Sequence, residues 1–548
     1  MGHPLTCASL PSPVFTTPIF SMAASLSAAC VPSTFTGLSF FGASVLSLEA
    51  SLVANYSASV PAELRFTQPA IDVHGATFCN VTVSYTHPGQ NDNIIVETWL
   101  PVENPSWNGR LQAVGGSGWD AGRVPVSYQG MAGAIGDGYA TTTTDAGLGA
   151  NPDPSRVALA SPGNINWYTL TNFASVALND QAVIGKALVA RFYGRPPSFS
   201  YWNGCSQGGR QGVMLAQRYP RAYDGIAAGA PVLWTSRVGL ALFWPQQVMH
   251  LLGAYPRGCE VDALSAAEGK ALWHGLDPGA DLVTQGSGPF VIPGVAATDC
   301  SSGICVGVPS SLALLWMTQY LARGDPSFNP LNLTHAEFDD LLHLGRQLFR
   351  SAVDTDDPDL SRFRDAGGKM VTFHGLADGE VASKSTRQYY QEVEALVPDV
   401  HKFYRHFEVP GLGHCSGKSS GQPASLFEQL RAWVESGVAP EQTPVNVTVL
   451  GGAVQSRILC PYPQVAKFDN ARCRDRVDRV CCSATASPRQ RDVPGSFVQW
   501  PKYVYIDGHF NGRGVPKADI KDWKHVDTDP LESSSLLPLS RPRRRRHR

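Results

Sequence analysis

Trp202-Asn203-Gly204-Cys205-Ser206-Gln207-Gly208-Gly209-Arg210 is the stretch whose reading decides the fold. It fits G-x-S-x-G with a strand signal before it and a helix signal after it. Upstream, Ser198-Phe199-Ser200-Tyr201-Trp202 is short, aromatic-rich and bounded by Pro196-Pro197, as a strand is. Downstream, residues 207–219 carry Val213, Met214 and Leu215 in a helix-compatible run, and Tyr219-Pro220 is a natural helix boundary. A strand that turns sharply into a helix lifts the serine oxygen onto a strained turn and aims helix N–H groups at a carbonyl placed there. The motif alone decides nothing, because a chain with 53 glycines produces it by chance.

Partners decide it. In α/β-hydrolases the nucleophile is followed in the chain by the acid and then the histidine. Met370-Val371-Thr372-Phe373-His374-Gly375-Leu376-Ala377-Asp378 is an apolar strand that empties into a loop with a carboxylate at its end. The stretch from Tyr404 through Val409-Pro410-Gly411-Leu412-Gly413-His414-Cys415 repeats that layout with a histidine. The reading is therefore Ser206 as nucleophile, His414 as general base and acid, and Asp378 as the residue that orients the imidazole. His374 is a rival for His414 but precedes the acid, which gives it a structural role; Glu380 and Glu408 are rivals for Asp378. Cys205 and Cys415 each adjoin a member of the triad. They either form a bridge that clamps Ser206 against His414 or are small buried thiols.

Strand and helix signals alternate around this stretch, which argues a mostly parallel sheet. Residues 79–85 and 94–100, joined by the turn cluster His87-Pro88-Gly89-Gln90-Asn91-Asp92, form a hairpin. Residues 109–114 form a strand running into Gly115-Gly116-Ser117-Gly118. Glycines there let backbone N–H groups approach an oxyanion, so one donor is placed at Gly116 and the other at the N–H of Gln207. The glycine spacing fails G-x-G-x-x-G, which excludes a dinucleotide loop, and Gly417-Lys418-Ser419 lacks the first glycine of a phosphate loop. Residues 139–144 form a strand and 167–193 contain a helix. After residue 231 the alternation stops until Met370, and this insertion, rich in Leu233, Trp234, Leu242, Phe243, Trp244 and Trp316, is a lid over the nucleophile whose aromatics also serve as its own core.

The organisation expected is an N-terminal segment 1–30 with the character of a degenerate signal peptide, a catalytic domain 31–231 plus 366–470, a lid domain 232–365, and a tail 471–548. The tail ends Arg541-Pro542-Arg543-Arg544-Arg545-Arg546-His547-Arg548 and reads as disordered or as a gene-model artefact. At 548 residues, 43% hydrophobic and 16% charged, the chain is long enough for a large core. A net charge of −2 gives no footprint for nucleic acid, and no apolar run is long enough to span a bilayer. Twelve cysteines suggest pairing in an oxidising compartment, with Cys30 joined to Cys79 and Cys460 to Cys482. Cys7, Cys259, Cys300, Cys305, Cys473 and Cys481 remain unassigned. Sequons at Asn55, Asn80, Asn332 and Asn446 agree with secretion. Nothing in the sequence sets the oligomeric state.

At these residues the chain resembles the fungal and bacterial tannase and feruloyl esterase family, whose mark is a Cys-Ser, Asp, His-Cys arrangement: here Cys205-Ser206, Asp378 and His414-Cys415. Further carriers are Cys79-Asn80-Val81-Thr82-Val83, Trp107-Asn108-Gly109-Arg110, Gly115-Gly116-Ser117-Gly118-Trp119, Thr144-Asp145-Ala146-Gly147, Tyr223-Asp224-Gly225-Ile226 and Cys460-Pro461-Tyr462-Pro463, and the resemblance fades past Phe468. It implies a secreted hydrolase of phenolic esters such as feruloyl groups on plant cell-wall sugars, with galloyl esters as the nearest rival. From other classes, a non-catalytic cell-wall binding protein and a thiol oxidoreductase using Cys205 and Cys415 compete. Similar chains carry a calcium loop in the lid. Of its carboxylates only Asp277 and Asp281 stand in Trp273-His274-Gly275-Leu276-Asp277-Pro278-Gly279-Ala280-Asp281. Calcium takes six to eight oxygens, so that loop is a weakened site, and the chemistry itself requires no cofactor.

Overall fold

The computed structural model describes residues 20–149, 154–253, 292–417, 419–449, 452–468 and 480–484, with short pieces between 266 and 285. Nine strands form one sheet: β1 (Ser44–Val60), β2 (Ile71–Thr86), β3 (Ile94–Glu103), β4 (Arg110–Val114), β5 (Ala140–Thr144), β6 (Phe199–Cys205), β7 (Gly225–Gly229), β8 (Lys369–Gly375) and β9 (Tyr404–Val409). Their order is β1-β2-β3-β5-β4-β6-β7-β8-β9. The first three pair antiparallel, β5 joins β3 antiparallel, and every pairing from β5 to β9 is parallel. Helices α1 (Pro125–Gly136), α2 (Val176–Tyr193), α3 (Gln207–Arg218), α4 (His335–Val353), α5 (Ser383–Leu396) and α6 (Leu426–Ser436) account for the long connections.

The parallel strands are buried on both faces, which is why they read as continuous apolar or small runs instead of alternating ones. Helices α2 and α3 pack on strands β3 to β7, and α6 on β7 and β8. With this order of strands, β6, β8 and β9 end on the same edge of the sheet, where loops after parallel strands converge.

Some expectations needed correction. Residues 44–60 are a long edge strand, ahead of the hairpin at 79–100 with which the sequence pattern begins the sheet. Register shifts at Val45/Ser47, Val53/Tyr56 and Tyr56/Ala58 break its two-residue period. The helical stretch 167–193 is two helices, Trp167–Ala174 and α2, because Ser175 (φ −157°, ψ −47°) interrupts it. The tail boundary at 471 is too early: Val480–Ala484 pairs with Gln464–Phe468.

The aromatic residues of the segment between β7 and β8 do not form a core of their own but join the hydrophobic cluster of the sheet, with Trp202 and Met370 among its members. Leu233, Trp234, Leu242, Phe243, Trp244 and Trp316 are all buried. Trp119, from the loop after β4, stacks on Trp316 at 5.7 Å and donates its indole N–H to the Leu312 carbonyl at 3.1 Å. That contact fastens the insertion to the sheet. Disulfides join Cys30 to Cys79, Cys205 to Cys415, Cys300 to Cys305 and Cys460 to Cys482. Cys481 is also bridged, while Cys7, Cys259 and Cys473 lie outside the described residues. Among the described residues no helix is long and apolar enough to cross a membrane.

Candidate active site

Ser206 sits between β6 and α3 with φ 60° and ψ −118°, a conformation that costs a non-glycine residue about 1–3 kcal/mol. The turn is held by Ser206 N–H donating to the Gly229 carbonyl at 3.0 Å and Arg210 N–H donating back to the Ser206 carbonyl at 2.9 Å. Glycine is demanded on both sides by close backbone approach. A Cβ on Gly204 would lie 2.8 Å from the Gly208 backbone, one on Gly208 would lie 3.2 Å from the Gly116 carbonyl oxygen, and one on Gly209, just past the motif, would lie 2.2 Å from the Gly229 carbonyl oxygen. The motif is thus a steric solution that seats a strand end, a helix start and a neighbouring strand in one small volume.

Asp378 lies in the loop after β8 and His414 in the loop after β9. Gly375 lets those loops touch, since a Cβ there would lie 2.2 Å from the Leu412 carbonyl oxygen. Asp378 is buried and receives four hydrogen bonds. Oδ1 accepts the N–H groups of Glu380 and Val381, both at 2.9 Å. Oδ2 faces His414 Nδ1 at 2.7 Å and His374 Nε2 at 3.0 Å. Burial opposes its charge, but the two imidazoles overcome that and hold the carboxyl well below the usual range. For His414 burial likewise opposes the cation; Asp378 and Glu380 outweigh it and raise the imidazole to about 9.

His374 Nε2 is also 3.0 Å from the Val381 carbonyl, so it faces two acceptors and must carry the proton. Its Nδ1 then accepts from the Thr386 hydroxyl at 2.8 Å. This histidine is structural, as its place before the acid suggested, yet it braces Asp378 directly. Glu408 pairs with Arg387 at 2.6 Å, away from the imidazole. Glu380 stands with its Oε2 3.5 Å from His414 Nε2. In the sequence Glu380 stands as a rival for Asp378; its place two residues further along the same loop is what brings it to the other side of His414.

The Cys205–Cys415 bridge, with Cα atoms 6.0 Å apart, ties the end of β6 to the loop after β9. In the sheet β7 and β8 lie between them, about 14 Å of strand spacing that the histidine loop must cross to reach the serine. Ser206 and Gln207 line a small cavity of about 50 Å³, open to solvent on one side and walled by Trp119, Phe173, Val238, Leu242 and Leu312. A nucleophile on a strained turn, an imidazole paired to a buried carboxylate and an apolar cavity above them can carry out acyl transfer.

One oxyanion assignment has to change. The Gly116 N–H is buried and bonded to Gln211 Oε1 at 3.1 Å, so it is already spent. Gly115 and Gly116 serve packing: Cβ atoms there would meet Gln211 at 2.3 Å and the Asp120 carbonyl at 2.0 Å. Further along the same loop, Gly118 lines the cavity beside Ser206. The N–H of Gln207 opens helix α3 and has no place in its internal ladder, which leaves it available to an oxyanion. The Gln207 side chain is fixed by Arg210, a buried guanidinium that also donates to the Ala174 and Phe173 carbonyls.

Asp277 does not fit a calcium ion. Its carboxylate accepts from the Ser383 hydroxyl and lies 3.6 Å from the Lys384 ammonium, which already supplies the positive charge. Asp281 lies outside the described residues, and among the described residues no group of three His, Cys, Asp or Glu could hold a metal.

The model of the family described as tannase and feruloyl esterase matches residues 79–285 and 318–482, extending past Phe468. A probable feruloyl esterase of Arthroderma benhamiae is 32% identical over 450 residues, covering 71% of this chain and 83% of that one. A mono(2-hydroxyethyl) terephthalate hydrolase of Piscinibacter sakaiensis is 28% identical over 490 residues, covering 70% and 80%. Among solved structures, the tannin acyl hydrolase from Aspergillus niger superposes with a TM-score of 0.69 over 84% of this chain and 95% of that one, at 23% identity.

Proposed function

The chain belongs to the tannase and feruloyl esterase family and is a carboxylic ester hydrolase, and from that premise we propose that it cleaves esters of hydroxycinnamic acids such as ferulate through an acyl-enzyme on Ser206. His414 takes the serine proton through Nε2 and returns it to the leaving alcohol, then activates water to release the acid. Asp378 fixes the tautomer with the proton on Nδ1. The Gln207 N–H and a donor from the loop around Gly118 hold the oxyanion. The observation that carries the reading is the bridge between Cys205 and Cys415, which ties the residue before Ser206 to the residue after an imidazole already paired with Asp378.

The cavity favours feruloyl over galloyl groups. Its walls are mostly apolar, and a galloyl ring would bury three hydroxyls where Gln207, Thr235 and Glu380 are the few polar side chains besides Ser206. An extracellular enzyme acting on plant cell-wall esters accords with four disulfides whose partners are both described and with exposed sequon asparagines at Asn55, Asn332 and Asn446. The Asn80 sequon is a poor acceptor, since its side chain is bonded to Glu97 within the sheet.

The test is hydrolysis of methyl ferulate and methyl gallate side by side, with the native protein and Ser206→Ala. Turnover of ferulate that disappears in the variant is the expected result. Faster turnover of gallate would move the substrate assignment to tannins, and activity surviving in Ser206→Ala would remove the acyl-enzyme.

A further inference from the structure

Among the described residues Glu380 is the one acidic side chain that lines the cavity, and its only side-chain partner is His414. Its carboxylate is nearly buried, at 12% exposure, and lies 3.5 Å from Nε2, the nitrogen that Asp378 leaves free. That separation is too long for a short hydrogen bond and short enough for a strong ionic contact, so Nε2 keeps its freedom to take a proton from Ser206. The imidazole therefore stands between two carboxylates, Asp378 at one nitrogen and Glu380 at the other.

Resting on the acyl-enzyme reading above, we infer that Glu380 is a positioning residue for the reaction: it stabilises the His414 imidazolium that forms when the serine proton moves, and thereby sets the pH range in which His414 is a free base. No proton passes to Glu380. The proton leaves Ser206 Oγ as that oxygen bonds to the ester carbonyl carbon, rests on His414 Nε2 while the two carboxylates balance the cation, and leaves on the departing alcohol oxygen as the ester C–O bond breaks.

Among the described residues the surrounding charges are few. Asp378, backed by His374, faces Nδ1. The loop after β4, the Trp167–Ala174 helix and the insertion contribute Gly118, Trp119, Phe173, Val232, Thr235, Val238, Leu242 and Leu312, none of them ionisable, to the cavity. Burial pushes the Glu380 carboxyl up, the His414 cation opposes that, and the Asp378 charge adds to it. The three groups titrate as a coupled set. The sign follows. A carboxylate near His414 holds the proton on it to higher pH, so neutralising Glu380 frees the base at lower pH.

The experiment compares native protein, Glu380→Gln and Glu380→Asp by two readouts: the pH profile of kcat/KM on methyl ferulate and on 4-nitrophenyl acetate, and the NMR titration of His414 in each protein. In Glu380→Gln both the acid limb and the NMR midpoint should fall by about one pH unit, roughly tenfold in activity below the limb. Glu380→Asp, which retracts the charge without removing it, should shift them less. An NMR midpoint unmoved in Glu380→Gln overturns the inference even where ester hydrolysis is intact. A moved midpoint in a protein that cleaves neither ester overturns the acyl-enzyme reading on which it rests.

Discussion

His87 and His414 are each held between two carboxylates, in two regions that the chain uses differently. His87 Nδ1 lies 2.6 Å from Asp92 and Nε2 lies 3.1 Å from Asp180, which pins the turn between β2 and β3 onto helix α2. Those carboxylates are further occupied: Asp180 accepts from the Tyr85 hydroxyl, and Asp92 from Thr86 and Asn172. Both ring nitrogens are spent at short range, so the ring is a rivet. At His414 only Nδ1 is held closely, at 2.7 Å. Its Nε2 faces Glu380 at 3.5 Å beside a cavity lined by Ser206. A histidine flanked by carboxylates is therefore no sign of catalysis by itself; what separates the two is one loosely held nitrogen facing Glu380, which lines the same cavity as Ser206.

The largest expected effect tests that contrast directly. His414→Ala should lower kcat on methyl ferulate by at least about 10⁴-fold, because the proposed base is removed outright, and should also cost stability, since the buried Asp378 and Glu380 lose their shared partner. His87→Ala should cost stability alone. It leaves Asp92 and Asp180 without their shared partner and should cost about 3 kcal/mol of stability in denaturant unfolding, with kcat of the folded protein within about twofold. Loss of kcat in His87→Ala comparable to that in His414→Ala would break the comparison.

An intermediate effect is expected at the bridge. The paired variant Cys205→Ala, Cys415→Ala should lose about 2–4 kcal/mol, since a long loop is released in the unfolded chain. Its kcat should also fall by about 10- to 100-fold, because the loop carrying His414 must cross two strands to meet Ser206 and would no longer be tied there. Removing the Cys30–Cys79 bridge, which joins the N-terminal region to β2, should cost stability alone. Equal loss of kcat from both bridge removals would show that the first acts only through stability.

The sequence disclosed the parts of this site that are local and hid those that depend on contact. The elbow was legible because G-x-S-x-G, a strand signal and a proline stop lie within one short window, and the acid and histidine were legible because each ends an apolar strand in the right chain order. Cys205 and Cys415 were readable as neighbours of the triad. Gly116 was misassigned because a glycine that makes room for an oxyanion and one that makes room for Gln211 look alike in sequence; only the bond from its N–H tells them apart. Glu380 was read as a competitor for Asp378, since sequence does not show which nitrogen of a distant imidazole a carboxylate will face. The edge strand 44–60 escaped for a related reason, its bulges shifting the alternation that marks a strand.

The smallest effects should come from behind Asp378 and sharpen the account of how that carboxylate is held. His374→Leu removes one of four hydrogen bonds to Asp378 and should lower kcat by about tenfold with little change in KM, as losses among groups that orient a catalytic residue do. Thr386→Val should do less. With two acceptors at Nε2, the His374 proton stays on that nitrogen whether or not Thr386 donates to Nδ1, because moving it would set a lone pair against the Asp378 carboxylate and the Val381 carbonyl. The variant therefore forfeits one buried hydrogen bond, about 1 kcal/mol in denaturant unfolding, and keeps kcat within about threefold. A fall in kcat as large as that of His374→Leu would mean that Thr386 sets the tautomer, and that Asp378 depends on a proton position held from two residues away in space.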